Sequence, residues 1–223
     1  MKRKIYRMII HILYTTKCPQ CGKNVGYMDG FCDDCRKKLT DVKESVSIDG
    51  CEKVSAVCVY DENVKQAIYV LKNYCYNSAY AFALLMSEKL NKENETLPYD
   101  VIVPVPITKK KHKLRGYNQC ELMAEELSAM TLIPKDFKSV VKSRETTDQK
   151  ELSAKERQSN LNGAFEVRNK SALKGKNILV IDDISTTGAT LREMCRCLHS
   201  AEVKSVSAIV CCKTEKMGEV KID

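Results

Sequence analysis

Two adjacent carboxylates, Asp182 and Asp183, end the apolar run in NILVIDDISTTGATL, residues 177–191. Ser185, Thr186, Thr187, Gly188, Ala189 and Thr190 follow them and lead into a helical pattern. Hydroxyls, a glycine that permits close backbone approach, and the first amides of a helix make a cradle for a phosphate. The helix dipole adds to its attraction for an anion. The acids can accept hydrogen bonds from two neighbouring sugar hydroxyls, so the spacing suits a ribose 5-phosphate. Neither Gly-x4-Gly-Lys-[Ser/Thr] nor Gly-x-Gly-x-x-Gly occurs here, which excludes a Walker loop and a dinucleotide fingerprint. A mere helix cap needs only one acid, and one nearer the helix start.

Such a pair needs a buried strand behind it and a helix in front. The chain alternates the two. Apolar strand patterns occur at KVSAVCVY (53–60), YDVIVPVP (99–106), KNILVIDD (176–183) and VKSVSAIVCC (203–212). Helical patterns occur at 62–74, 78–90, 118–130 and 188–201. Alternation of this kind predicts an α/β fold, a parallel sheet with helices on both faces. In such sheets ligands bind beyond the carboxyl ends of the strands, where Asp182 and Asp183 stand.

The 223 residues allow one sizeable core and a small appendage. A net charge of +8 favours acidic or phosphorylated partners. Twelve cysteines are many. The start of the chain makes a poor signal peptide, because Arg7 and His11 interrupt its apolar stretch. No apolar run is long enough for a membrane span. Reduced thiols and metal ligands in a cytoplasm are therefore expected. Ile5, Met8, Ile9, Ile12 and Leu13 form a helical stripe beside Lys2, Arg3 and Lys4. Packing on the rest of the protein is favoured for it over a membrane surface.

Cys18, Cys21, Cys32 and Cys35 form Cys-x2-Cys, ten residues, Cys-x2-Cys. Two knuckles of this spacing converge four thiolates on tetrahedral zinc, with iron or redox pairs as the alternatives. No position is left for water, so the site is expected to be structural. Residues 40–53 read as a polar linker, which divides the chain into a metal module at 1–45 and an α/β domain at 46–223. The seven cysteines 58, 75, 120, 195, 197, 211 and 212 fall on apolar faces and read as core.

VIDDISTTGAT resembles the phosphoribosyl-diphosphate (PRPP) signature of type I phosphoribosyltransferases. That resemblance implies that Asp182 and Asp183 hold the ribose hydroxyls and Ser185–Thr190 the 5-phosphate. The four-cysteine knuckle, Lys72 in LKNY, Pro104–Pro106, Arg115–Gln119, Arg144, Thr147, Gln149, Arg157 and Asn160 occur in the order typical of the ComF family, associated with DNA uptake in competent bacteria. The resemblance implies a glycosyltransferase that displaces pyrophosphate from PRPP with Mg²⁺, or a non-catalytic PRPP-binding protein. Single-stranded DNA and a helicase-like competence ATPase are its expected partners. Within ITKKKHKLRG, Lys109, Lys111 and Arg115 are expected in a pyrophosphate loop, with Arg115 offering a planar fork. His112 is a weaker candidate there. The polar segment 142–165 corresponds to a loop closing over PRPP, with Arg144, Gln149, Arg157 and Asn160 as its candidates.

Overall fold

The computed structural model describes residues 8, 15–73, 76–94, 96–145 and 161–214. Cys75, Thr147, Gln149, Arg157 and Asn160 lie outside them, as does all of the N-terminal stripe except Met8.

Four strands run parallel in one sheet: β2 (Cys51–Val59), β7 (Ser205–Lys213), β6 (Asn177–Ser185) and β3 (Val101–Pro104), in that order. Strand β1 (Val46–Ile48) adds to β2 antiparallel, so the sheet is mixed at that edge. The expected linker at 40–53 is thus corrected: it holds β1, a turn at Gly50 with φ +74°, and the start of β2. Ile178 to Ile181 are fully buried, as a central parallel strand demands. Beyond β3, the Ile102 amide donates to Pro134 O at 2.8 Å and the Asp136 amide to Ile102 O at 2.9 Å. These bonds cover a sheet edge that would otherwise be open to pairing.

Helix α1 (Asp33–Lys37) follows the second cysteine pair. Helices α2 (Lys65–Lys72) and α3 (Tyr76–Glu93) connect β2 to β3. Helix α5 (Gln119–Thr131) packs with α3 on one face of the sheet, and α6 (Ala189–His199) on the other. The basic run expected as a loop is instead a short helix, α4 (Lys109–Arg115). The Thr108 hydroxyl accepts from the Lys111 amide at its start, and Gly116 ends it in the left-handed region at φ 77°. Strands β4 (Val140–Lys142) and β5 (Phe165–Val167) form a separate antiparallel pair from the two ends of the long polar segment. Among the described residues no helix is long and apolar enough to cross a membrane.

Cys58, Cys120, Cys195, Cys197, Cys211 and Cys212 are all buried, and so is Cys51. They fill the core as small apolar side chains do.

Candidate active site and metal centre

Strand β6 carries its apolar residues to the sheet's carboxyl edge and there buries Asp182 and Asp183. Burying charge is costly without partners. The protein supplies some. The Asp183 amide donates to Asp182 Oδ1 at 2.9 Å and the Ile184 amide to Asp183 Oδ1 at 2.7 Å. From the start of α5, Gln119 Nε2 donates to Asp183 Oδ2 at 3.1 Å and the Cys120 thiol lies 3.6 Å from Asp182 Oδ1. Lys72, the last residue of α2, places Nζ 3.3 Å from Asp183 Oδ2. These contacts do not neutralise the pair. Burial, and then the charge of Asp183 beside it, push the Asp182 carboxyl up to about 7. Burial alone depresses the Lys72 ammonium, but the Asp183 and Asp182 charges outweigh it and raise its pKa.

The loop after the acids turns at Gly188, whose φ is +76°, and α6 begins at the next residue without a side-chain cap. Neither acid caps that helix, so its first amides face the loop. Arg192, from the first turn, reaches back so that Nη2 donates to Thr187 O at 2.6 Å. Three buried side-chain atoms have no hydrogen-bond partner among the described residues: Gln119 Oε1, Ser185 Oγ and Arg192 Nε. Buried polar atoms are nearly always paired, and these three belong to residues that flank one strand end. A cavity of about 700 Å³ opens there, lined by Tyr60, Tyr69, Lys72, Asp183, Thr186 and Thr214. Its size is that of a small-molecule site.

A methyl group at Gly188 would stand 3.3 Å from Arg192 Nη1 and force a side chain into the left-handed region. Gly188→Ala is therefore expected to cost about 1–2 kcal/mol, a drop of several degrees in Tm. It should also weaken phosphate-ligand binding. A melting curve and a ligand titration check both; an unchanged Tm would show that this turn is not under the stated constraint.

The basic residues divide. Lys109 and His112 line a second cavity of about 360 Å³ with Lys142 and Arg168. Lys111 is half-buried, and with Asp182 it lies within electrostatic reach of Lys142 on β4. Burial, then the neighbouring Lys111, depress the Lys142 ammonium, while Asp182 opposes them. Arg115 is exposed in the last turn of α4. Arg144 Nη2 donates to Asn162 O at 2.7 Å and so joins the two ends of the long polar segment. Thr186, Thr187 and Thr190 are half-buried along the loop, and Ala189 packs in a small cluster with Leu161 and Ala164. The site thus gathers Asp182, Asp183, Lys72 and the 185–190 loop, with Lys111 near them through Lys142.

No local pattern in the sequence marks Lys142 or Arg192 as a site residue, and Gln119 stands in the Arg-Gly-Tyr-Asn-Gln motif with no role that its spacing assigns. Asn118 in that motif caps α5, its Oδ1 accepting from the Cys120 amide at 3.0 Å and its Nδ2 donating to Val105 O at 3.0 Å.

At the metal centre, the ligand sulfurs of Cys18, Cys21, Cys32 and Cys35 all lie within 4.8 Å of one another. Cys21 and Cys32 sulfurs are 3.6 Å apart, close to the edge of about 3.8 Å that zinc–sulfur bonds of about 2.3 Å give a tetrahedron. Such a cluster can hold one metal ion, and its four thiols fit zinc. The module docks along α3. Phe31 and Phe82 meet edge to face at 5.5 Å, Tyr80 Oη donates to Met28 O at 2.9 Å, and Asn77 Nδ2 to Lys17 O at 2.7 Å. Gly30 has no room for a side chain, since its Cβ would come 2.6 Å from Ala81 Cα.

A family model described as a phosphoribosyl transferase domain matches residues 117–222, and with the parallel sheet and strand-end acid pair it defines this as a phosphoribosyltransferase-type fold. The DNA utilization protein YhgH of Escherichia coli (strain K12) is 31% identical over 205 residues, spanning 89% of this chain and 85% of its own. Competence protein ComFC of Bacillus subtilis (strain 168) is 28% identical over 195 residues, 86% of this chain and 75% of its own. Among solved structures, the allosteric regulatory enzyme of purine biosynthesis matches 60% of this chain and 26% of its own at 19% identity and a TM-score of 0.41. The chain belongs to the ComF family.

Proposed function

We propose that this protein binds PRPP with Mg²⁺ at the Asp182–Asp183 site, and transfers its phosphoribosyl group with release of pyrophosphate. The observation that carries the reading is the convergence on one strand end of a buried acid pair and the three unpartnered buried atoms of Gln119, Ser185 and Arg192. A ligand with two adjacent hydroxyls and a phosphate satisfies that set. Asp182 and Asp183 accept from the ribose hydroxyls. Ser185 to Thr190, with the first amides of α6, hold the 5-phosphate. Lys111 and Arg115, with Lys142 and Lys109 behind them, neutralise the diphosphate as the bond to C1 breaks. Mg²⁺ bound with the diphosphate would add neutralising charge beside Lys111 and Arg115.

In this reading residues 1–45 are a structural zinc module and residues 46–223 the phosphoribosyl domain, in a cytoplasm that keeps the thiols reduced. The relatives named for DNA utilization and competence support a role in DNA uptake. They also favour a second reading, a PRPP-binding accessory protein without turnover that works with single-stranded DNA and a helicase-like ATPase.

Titration with Mg²⁺-PRPP tests the first statement; pyrophosphate release with a nucleobase or nucleic acid offered separates the two readings. If the basic helix serves the diphosphate, Arg115→Ala and Lys111→Ala should each weaken PRPP binding at least tenfold, about the worth of one charge-assisted hydrogen bond. Binding of ribose 5-phosphate should change little. Equal losses for both ligands would leave only a general electrostatic role.

A further inference from the structure

Among the described residues the metal module contributes no side chain to the lining of the 700 Å³ cavity, yet it holds one of the cavity's walls. Gln20 sits inside the first knuckle, between Cys18 and Cys21. The knuckle fixes its backbone: the Cys18 amide donates to Lys23 O at 2.7 Å and the Gly22 amide to Cys18 O at 2.9 Å. From there the side chain spans to the start of α2. Its Oε1 accepts from the Ala67 amide at 3.0 Å, and its Nε2 donates to Glu62 O at 3.0 Å.

Ala67 is the third residue of α2, one of the amides that a helix start leaves without an intrahelical partner. The local cap is Val64, which has no side chain that can accept a hydrogen bond, and none is made there. A residue 47 positions earlier in the chain supplies the acceptor instead. The other end of the same helix carries Lys72 to within 3.3 Å of Asp183. Tyr69 and Lys65 on it line the cavity. An eight-residue helix does not persist by itself, so its anchors set where it stands.

We propose that Gln20 is a positioning residue that couples metal occupancy of the four-cysteine site to the ligand cavity. Metal fixes the knuckle, the knuckle fixes Gln20, Gln20 caps α2, and α2 holds Lys72 against the acid pair. The inference rests on the phosphoribosyl reading only for the identity of the ligand.

The test uses the full zinc-loaded chain, as wild type, Gln20→Ala and Gln20→Glu. All three should carry one zinc, because Gln20 is not a ligand. In Gln20→Ala the Ala67 amide should exchange with solvent about tenfold faster, the effect of losing a helix cap. Its Mg²⁺-PRPP affinity should fall severalfold. Gln20→Glu keeps the acceptor for Ala67 but cannot donate to Glu62 O, so it should stand between the other two. Chelating zinc from wild type should reproduce the Gln20→Ala exchange rate at Ala67. The proposal is overturned if zinc-loaded Gln20→Ala leaves Ala67 exchange unchanged, or if chelation leaves it unchanged in wild type. Should wild type fail to bind Mg²⁺-PRPP, the functional reading falls while the exchange measurement still decides the coupling.

Discussion

Changing Asp182 and Asp183 together to Asn is expected to weaken Mg²⁺-PRPP binding a hundredfold or more. A hydrogen bond to a charged acceptor is worth about 1.5–3 kcal/mol, and two are lost, each decade of affinity being about 1.4 kcal/mol. Shape and volume are kept, so lost packing cannot account for the change. Stability is better read from Asp182→Asn alone. The double variant strips Lys72 of both acids, whereas the single one leaves the Lys72–Asp183 pair, 3.3 Å apart, in place. Burial and the neighbouring Asp183 raise the Asp182 carboxyl from 3.8 to about 7. Between those values the folded protein holds a proton that the unfolded chain has released. Stability contributed by this group is therefore fully present below about 3.8, is lost progressively as pH rises from there, and is gone above about 7. Asp182→Asn should raise Tm most at pH 8, less at pH 5, and change it little only at about pH 3.5, near the unfolded value of 3.8. A helix-capping role predicts the opposite at every pH, with ligand affinity untouched. Melting curves at these pH values, with a PRPP titration of the double variant, separate the two. Unchanged affinity in the double variant would remove the main support for a phosphoribosyl site.

What the sequence revealed follows from how local each signal is. The acid pair with its loop and the four cysteines are contiguous motifs whose chemistry depends on spacing, and both were legible. The long strands were legible too, because a buried parallel strand is an unbroken apolar run. Strands β4 and β5 were not: VVK and FEV are too short to show a period, and each is held only by its partner across the polar segment. β1 failed for a similar reason. It has three residues, and its register shifts between Val46 and Ile48. The basic run KKKHKLR shows no apolar stripe, so only Thr108 before it and Gly116 after it hinted at a helix. Gln119, Lys142 and Arg192 reach the acid pair and its loop through tertiary geometry: a helix start, a strand in another sheet, and a side chain folding back over its own turn. Gln20 reaches across 47 positions, a distance at which no sequence pattern speaks.

Cys32→Ser should cost the chain its zinc and unfold the N-terminal module while leaving the α/β core assembled. The module is small. Residues 15–45 contain one five-residue helix with no buried residue, and cannot bury enough apolar surface to fold unaided. Structural zinc contributes about 10–16 kcal/mol in isolated fingers of comparable size, so the metal outweighs anything the module's own packing supplies. The core has no such dependence. Strands β2, β7, β6 and β3 pair with one another, and the module adds to them the short bridge of Asp41 to Cys58 at the edge of β2. The module does cover part of α3, however: Phe31 stacks edge-on against Phe82, and Gly30 lies flush on Ala81. Its loss would bare that apolar face, so the variant should bind a hydrophobic dye and associate at concentrations where the parent does not. Metal analysis and amide exchange over residues 15–45, compared with β6 and β7, measure each step. A zinc-free variant whose module stays as protected as the parent's would mean that packing on α3, rather than the metal, folds it. Protein purified under reducing conditions with neither zinc nor iron would sink the metal site itself.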